Sequence, residues 1–252
     1  MSDEICDRNE RRWWDLWNTS YRTNDNNDAV SSELFERAAA VINEITRTKC
    51  CRVLEVGCGA GTLSRLLNYS SYHGLDLSPA AIEIARKKGE GIARPSGSSV
   101  PTYEVADFHN FPLQPEVFDV AICVDAVAYF YDQQFALKKM AQSLVASGTL
   151  VLTTINPFVY HRIRRTSSSS LREGSVSRWL SRRELHKLVI SAGFTIERSY
   201  TIMPRGNIGI LRLINARRVN EAFGPRSASA VRSLKEGMGL GQYRLVVARK
   251  KG

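Results

Sequence analysis

What this 252-residue chain lacks narrows it first. It has five cysteines, Cys6, Cys50, Cys51, Cys58 and Cys123, and none are spaced as zinc ligands, while Cys50 and Cys51 are adjacent. That excludes a disulfide framework and predicts no metal, leaving reduced thiols that fill small packing sites in a cytoplasmic protein. Long apolar runs are also missing. The best stretch, Val117 to Phe130, is broken by Asp119 and Asp125, so no membrane insertion is expected. The start, Met-Ser-Asp-Glu, has no apolar signal core. Acidic residues are scarce in one region: residues 157–252 hold 5 Asp+Glu against 20 Lys+Arg, whereas residues 1–156 hold 20 against 15. Such a basic region attracts anions. Its arginines are interleaved with apolar residues rather than gathered in a tail, and no appended RNA-binding module is visible. A small anionic molecule is therefore favoured over nucleic acid.

What is present is an alternation of strand and helix. A polar and aromatic opening (Trp13, Trp14, Trp17, Tyr21) precedes a helix predicted from about Ser32 to Arg47. Arg52 to Val56 reads as a buried strand, Thr62 to Leu67 as a helix and Tyr72 to Leu77 as a second strand. Ser78-Pro79 caps a helix running to about Lys88. Strands at Thr102–Ala106, Val117–Val124 and Thr149–Ile155 follow, with a helix over Asp132–Val145. After Asn156 the Arg- and Ser-rich stretch 157–177 reads as a lid. Ser181 with Glu184 then forms a capping box for a helix to Ser191, before a strand Phe194–Ile202, a helical pattern over Ile208–Phe223 and a last strand Gln242–Arg249. Repeated strand–helix units predict a parallel sheet with helices on both faces, in a single domain 1–252. Within it, 1–48 forms a helical cap, 49–156 a ligand-binding half and 157–252 a basic half.

The chemistry concentrates at strand ends. Val53-Leu54-Glu55-Val56-Gly57-Cys58-Gly59-Ala60-Gly61 matches Glu-x-Gly-x-Gly-x-Gly, whose glycines allow a sharp turn and close ligand approach. A helix start at Thr62 would add free N–H groups and a positive dipole end. Thr62 stands where a dinucleotide loop would require glycine. Asp76 follows Gly57 by 19 residues at the second strand's end, Asp107-Phe108 follow the third strand, and Val124-Asp125 end the fourth. In an open α/β sheet these ends converge on one crevice.

With these residues in order, the sequence resembles the class I S-adenosylmethionine-dependent methyltransferases over about residues 50–155, and again at Trp179-Leu180-Ser181 through Gly193-Phe194. The resemblance implies a Rossmann-like, doubly wound, mostly parallel seven-stranded α/β sheet and S-adenosyl-L-methionine as cofactor. It assigns Glu55, Gly57, Cys58, Gly59 and Gly61 to the cofactor loop, Asp76 and Leu77 to ribose and adenine, Asp107 and Phe108 to adenine, and Val124 and Asp125 to the methionine end. Trp17, in the cap, is also expected among the cofactor-binding residues.

Methyl transfer from a sulfonium needs in-line approach and exclusion of water, with no metal. Oxygen acceptors often need a general base. Small-molecule members of the family often carry histidine after the fourth strand; here Tyr129 stands there, which puts histidine-assisted O-methylation in doubt. Candidate catalytic groups are Tyr129, His161 and Tyr21. His109 and His186 read as surface residues and His73 as a structural one. Arg162, Arg165 and Arg205, with Tyr160 and Trp13, are candidates for holding the acceptor. Arginine forks suit phosphate, and aromatic faces suit cations. The expected acceptor is a small anionic metabolite, an isoprenyl diphosphate being one candidate. N- or O-methylation of an unphosphorylated secondary metabolite and a nucleic-acid-binding methyltransferase are the alternatives, and a homodimer is left open.

Overall fold

The computed structural model describes residues 38, 40–45, 51–90, 99–159, 178–203 and 234–252. Of the expected lid only residues 157–159 are described, and they are helical with Val159 buried. Residues 160–177 with Tyr160, His161, Arg162 and Arg165, the cap residues Trp13, Trp17 and Tyr21, Arg205 and the 208–223 helix lie outside the described residues.

Seven strands form one sheet: β1 (Arg52–Val56), β2 (Ser71–Asp76), β3 (Thr102–Val105), β4 (Phe118–Val124), β5 (Leu144–Ile155), β6 (Phe194–Ile202) and β7 (Tyr243–Lys250). Their spatial order is β3-β2-β1-β4-β5-β7-β6. The first five run parallel, and β7 enters antiparallel between β5 and β6. The chain winds outward from β1 in one direction and resumes at β4 in the other, so the β1–β4 boundary is the switch point where an open α/β sheet binds ligands. Helices α1 (Pro79–Gly89), α2 (Gln133–Ser143) and α3 (Arg182–Ser191) cover it. Residues 40–45 are also helical, and Val41 and Ile45 are buried with Val53, Val120 and Val247 on one face of the sheet. Leu54, Ala121, Leu152 and Val246 pack on the other face with α2 and α3. This double burial explains why β4 is apolar from Val120 to Val124.

Local chemistry sets the helix ends as expected. The Ser78 hydroxyl accepts from Ala81 N–H, Asp132 caps α2, and Ser181 and Glu184 complete a capping box on α3. Gly193, at φ 97, ends α3.

One helix is overturned. Thr62–Leu67 holds only a 3-10 turn at Leu63–Arg65. So short a link to β2 cannot repay helix nucleation, while Leu63, Leu67 and Tyr69 are all drawn into the core. The expected helix dipole after the glycine loop is therefore absent.

Candidate functional site

The glycine loop takes its shape from three left-handed residues, Gly57, Gly59 and Gly61, at φ 77, 52 and 66. A Cβ at Gly57 would lie 2.4 Å from Ala126 Cβ, so the loop is pressed against the tip of β4. At Gly61 it would meet the Tyr103 hydroxyl at 2.8 Å, while at Gly59 it would meet nothing within 4 Å. Gly59 is thus the open position, where a ligand can approach the main chain. The loop's amides are largely used within the protein. Gly57 and Cys58 N–H donate to Leu75 O, and Gly61 N–H donates to Cys58 O. The loop therefore supplies a shaped surface rather than the anion cradle its sequence implies. Cys58 is buried, its thiol pushed up by burial and by Asp76 and Glu55, so only its main chain can face a ligand.

Three acids stand at neighbouring strand ends. Asp76 accepts from Gly59 N–H at 2.7 Å through Oδ2 and from Ser78 N–H at 2.9 Å through Oδ1. Each bond occupies only part of an oxygen's acceptor capacity. The carboxylate is held between loop and helix cap, with Leu77 half-buried beside it. Asp107 accepts from His109 N–H at 3.0 Å and from Asn110 Nδ2 at 2.7 Å, and its carboxyl lies below the usual range because of the His109 and Asn110 bonds. Asp125 has a left-handed backbone, φ 56, a conformation that aspartate tolerates and that recurs at functional sites. Thr153 on β5 holds it: Thr153 Oγ1 donates to Asp125 Oδ1 at 2.7 Å, and Asp125 N–H donates to Thr153 O at 3.0 Å. Val124 is half-buried at the tip of β4, and half-buried Tyr129 ends the 3-10 turn Val127–Tyr129 that follows.

Glu55 is the most unusual group. It is 3% exposed and one oxygen, Oε2, has no partner. Burial raises its carboxyl well above the ordinary range, Asp76 adds to the rise, and Arg65 opposes it. A buried carboxyl with an idle acceptor suits a cationic group on a ligand, such as an amino-acid ammonium.

Two placements differ from the sequence expectation. Phe108 offers no open face for a nucleobase: it is 4% exposed, in the core, with its ring 5.9 Å from that of Phe130. Its aromatic run packs inward and anchors the Asp107 turn. His109, read as a surface residue, is 7% exposed and stacks on Tyr131. Arg244, by contrast, drew no notice in the sequence and is buried on β7.

A glycine bend and acidic strand tips beside an idle buried carboxyl, on a 3-2-1-4-5-7-6 sheet, are features of the class I S-adenosylmethionine-dependent methyltransferase fold. The family described as "Methyltransferase domain" matches residues 47–193, and the chain belongs to it. The family's cofactor, S-adenosylmethionine, fits Glu55, Gly59 and Asp76 as they stand. The chain is 25% identical to a malonyl-[acyl-carrier protein] O-methyltransferase from Halorhodospira halophila, over 66% of this chain and 54% of that one. It is 24% identical to a ubiquinone biosynthesis O-methyltransferase from Photorhabdus laumondii, over 58% of this chain and 57% of that one. The chain thus spans about half the length of these relatives. A solved magnesium protoporphyrin IX methyltransferase from Synechocystis shares the fold, with a TM-score of 0.66 at 15% identity, covering 98% of this chain and 100% of that one.

Proposed function

We propose that this chain transfers a methyl group from S-adenosylmethionine to a small acceptor that carries a carboxylate or phosphate. The observation that carries the cofactor half of this reading is Glu55, a buried carboxyl with an idle oxygen beside a glycine loop that is open at Gly59. When bound, the cofactor supplies an activated methyl group on a sulfonium. The chain's own residues bind and orient. Asp76, fixed by two backbone N–H groups, presents its remaining acceptor capacity to the ribose hydroxyls. Glu55 and Asp125 receive the ammonium end, Asp107 meets the adenine amino group, and Leu77 and Val124 supply apolar walls. Tyr129, at the carboxyl edge after β4, stands on the acceptor side, where its phenol can orient a nucleophile. His161, Tyr21, Trp13, Trp17, Tyr160, Arg162, Arg165 and Arg205 keep the roles that the sequence implies, outside the described residues.

The anionic acceptor rests on the basic balance of residues 157–252. Oxygen as the methylated atom is supported by the names of the two relatives given above, both O-methyltransferases, one of malonyl-[acyl-carrier protein]. Those names give isoprenyl diphosphates no support, and they enter the test only as one arm. Among the described residues no helix is long and apolar enough to cross a membrane.

The test is incubation of the purified chain with labelled S-adenosylmethionine and a metabolite extract, alongside panels of carboxylic acids and isoprenyl diphosphates. Labelled product identified by mass is expected, with none from Asp76→Ala. Absence of product together with absence of S-adenosylhomocysteine binding would overturn the reading.

A further inference from the structure

Arg244 is the charged side chain that the cofactor site leaves unexplained. It lies on β7, opposite Thr154 of β5 and Thr201 of β6, at the carboxyl edge of β5. It shares its sheet face with Val246 and Ala248, which pack in the α2–α3 core. Although it is only 7% exposed, its Nε has no partner, and among the described residues its side chain makes one bond, a 3.5 Å contact from Nη2 to Asn156 Oδ1. Among the described residues no carboxylate faces it. Burial, together with repulsion from Arg182 at the start of α3, depresses the Arg244 pKa. His186 on the same helix is also held low, first by burial and then by both arginines. A guanidinium so placed has lost its water without gaining a counter-ion among the described residues, a costly state in a finished fold.

The neighbours are set up as acceptor and donor. Asn156 is 1% exposed, and its Nδ2 donates to Gly239 O at 3.0 Å and Gly241 O at 2.8 Å, which turns Oδ1 towards Arg244. Thr154, 1% exposed on the adjacent strand, has a hydroxyl with no partner. An idle guanidinium N–H and an idle hydroxyl on paired residues are together what a carboxylate or phosphate oxygen requires.

We propose that Arg244 and Thr154, braced by Asn156 and assisted by Arg182, form an oxyanion subsite at the carboxyl edge of β5 and β7, and that it holds the carboxylate or phosphate of the methyl acceptor. The subsite rests on the methyltransferase reading for the identity of its ligand but not for its existence. It lies two strands from the β1 loop in the sheet order, beyond β4, on the side where an acceptor would meet a cofactor bound over β1 and β2.

The test is calorimetric titration with inorganic phosphate and, separately, acetate, at constant ionic strength, on wild type, Arg244→Met and Thr154→Val, with S-adenosylhomocysteine titrated in parallel. At least one anion is expected to bind wild type. Arg244→Met should abolish that binding, Thr154→Val should raise the anion Kd by about tenfold, and S-adenosylhomocysteine affinity should stay unchanged in both. No binding of either anion to wild type, or binding that survives Arg244→Met, overturns the subsite. If Arg244→Met fails to fold, an unchanged anion Kd in Thr154→Val overturns it instead. Wild type that binds an anion but not S-adenosylhomocysteine would sink the methyltransferase reading and leave the subsite standing.

Discussion

Residues at the strand ends divide into those whose role follows from their position in the sequence and those whose role depends on distant packing. Asp76 belongs to the first group, because a carboxylate at the end of a strand and before a Ser-Pro cap has few places to go. Asp76→Asn keeps its shape but leaves one oxygen to satisfy both Gly59 and Ser78 N–H. The S-adenosylhomocysteine Kd is expected to rise by about tenfold or more, measured by calorimetry. Glu55 was legible as part of the motif, but its burial was not. Its raised pKa means that the folded chain holds a proton which the unfolded chain has released. The stability gained is full below the ordinary carboxylate range and is lost as pH rises through the folded value. The ligand-free melting temperature should fall across that window in wild type and stay flatter in Glu55→Gln. A cationic ligand beside Glu55 lowers the pKa again, so binding should release a proton. The binding enthalpy in wild type should then vary with the buffer's ionisation enthalpy, and in Glu55→Gln it should not. Phe108, His109 and Arg244 belong to the second group. For Arg244 a signal existed: in Arg244-Leu245-Val246-Val247-Ala248, strict alternation puts the arginine on the face of Val246 and Ala248. A charge on an otherwise apolar face is a candidate site.

Elements were legible wherever local chemistry decides them. The caps at Ser78, Asp132 and Ser181 and all strands but one lie within a residue or two of the sequence reading, because capping depends on side chains next to the turn. The exception is β5, which begins at Leu144, five residues before the expected Thr149, where a helix was expected to continue to Val145. The segment after the glycine loop was misread because Thr62–Leu67 has apolar spacing that fits a helix, whereas the short link to β2 allows only a single tight turn. That link matters at the loop, where two glycines do different work. Gly57→Ala drives a methyl into Ala126 and strains a left-handed backbone, so a loss of about 2 kcal/mol or more is expected in chemical denaturation. Gly59→Ala meets no atom within 4 Å, so its folding cost should stay near the backbone strain alone, about 1 kcal/mol. Its main loss should appear in S-adenosylhomocysteine affinity. Equal stability losses in the two variants would refute this division of labour. A second coupling runs between strands. Thr153→Val removes the hydroxyl that fixes Asp125 while preserving side-chain shape. It is expected to weaken S-adenosylhomocysteine binding by roughly 1 kcal/mol, about fivefold in Kd.

At the scale of the whole molecule, two halves of opposite charge share one sheet. β7, from the basic half, pairs along its length with β5 and thereby carries Arg244 to the carboxyl edge that β1, β2 and β4 also serve. The charge balance was visible in the sequence, but this junction was not, because the antiparallel entry of β7 between β5 and β6 is a long-range event with no local marker. The junction makes the electrostatics directional: an anionic acceptor is drawn towards residues 157–252, while a cofactor carrying both an ammonium and a carboxylate is held by local bonds at β1 and β2. Salt screens the first attraction and barely touches the second. Once an acceptor is identified, raising ionic strength from about 0.05 M to about 0.5 M should raise its KM severalfold and leave the KM for S-adenosylmethionine nearly constant. Arg182→Gln should flatten the acceptor's salt dependence, since it removes an exposed cation next to Arg244 while the buried guanidinium stays in place. An acceptor KM that ignores salt would mean that the charge asymmetry is only a surface property, and binding would then have to come from apolar contacts alone.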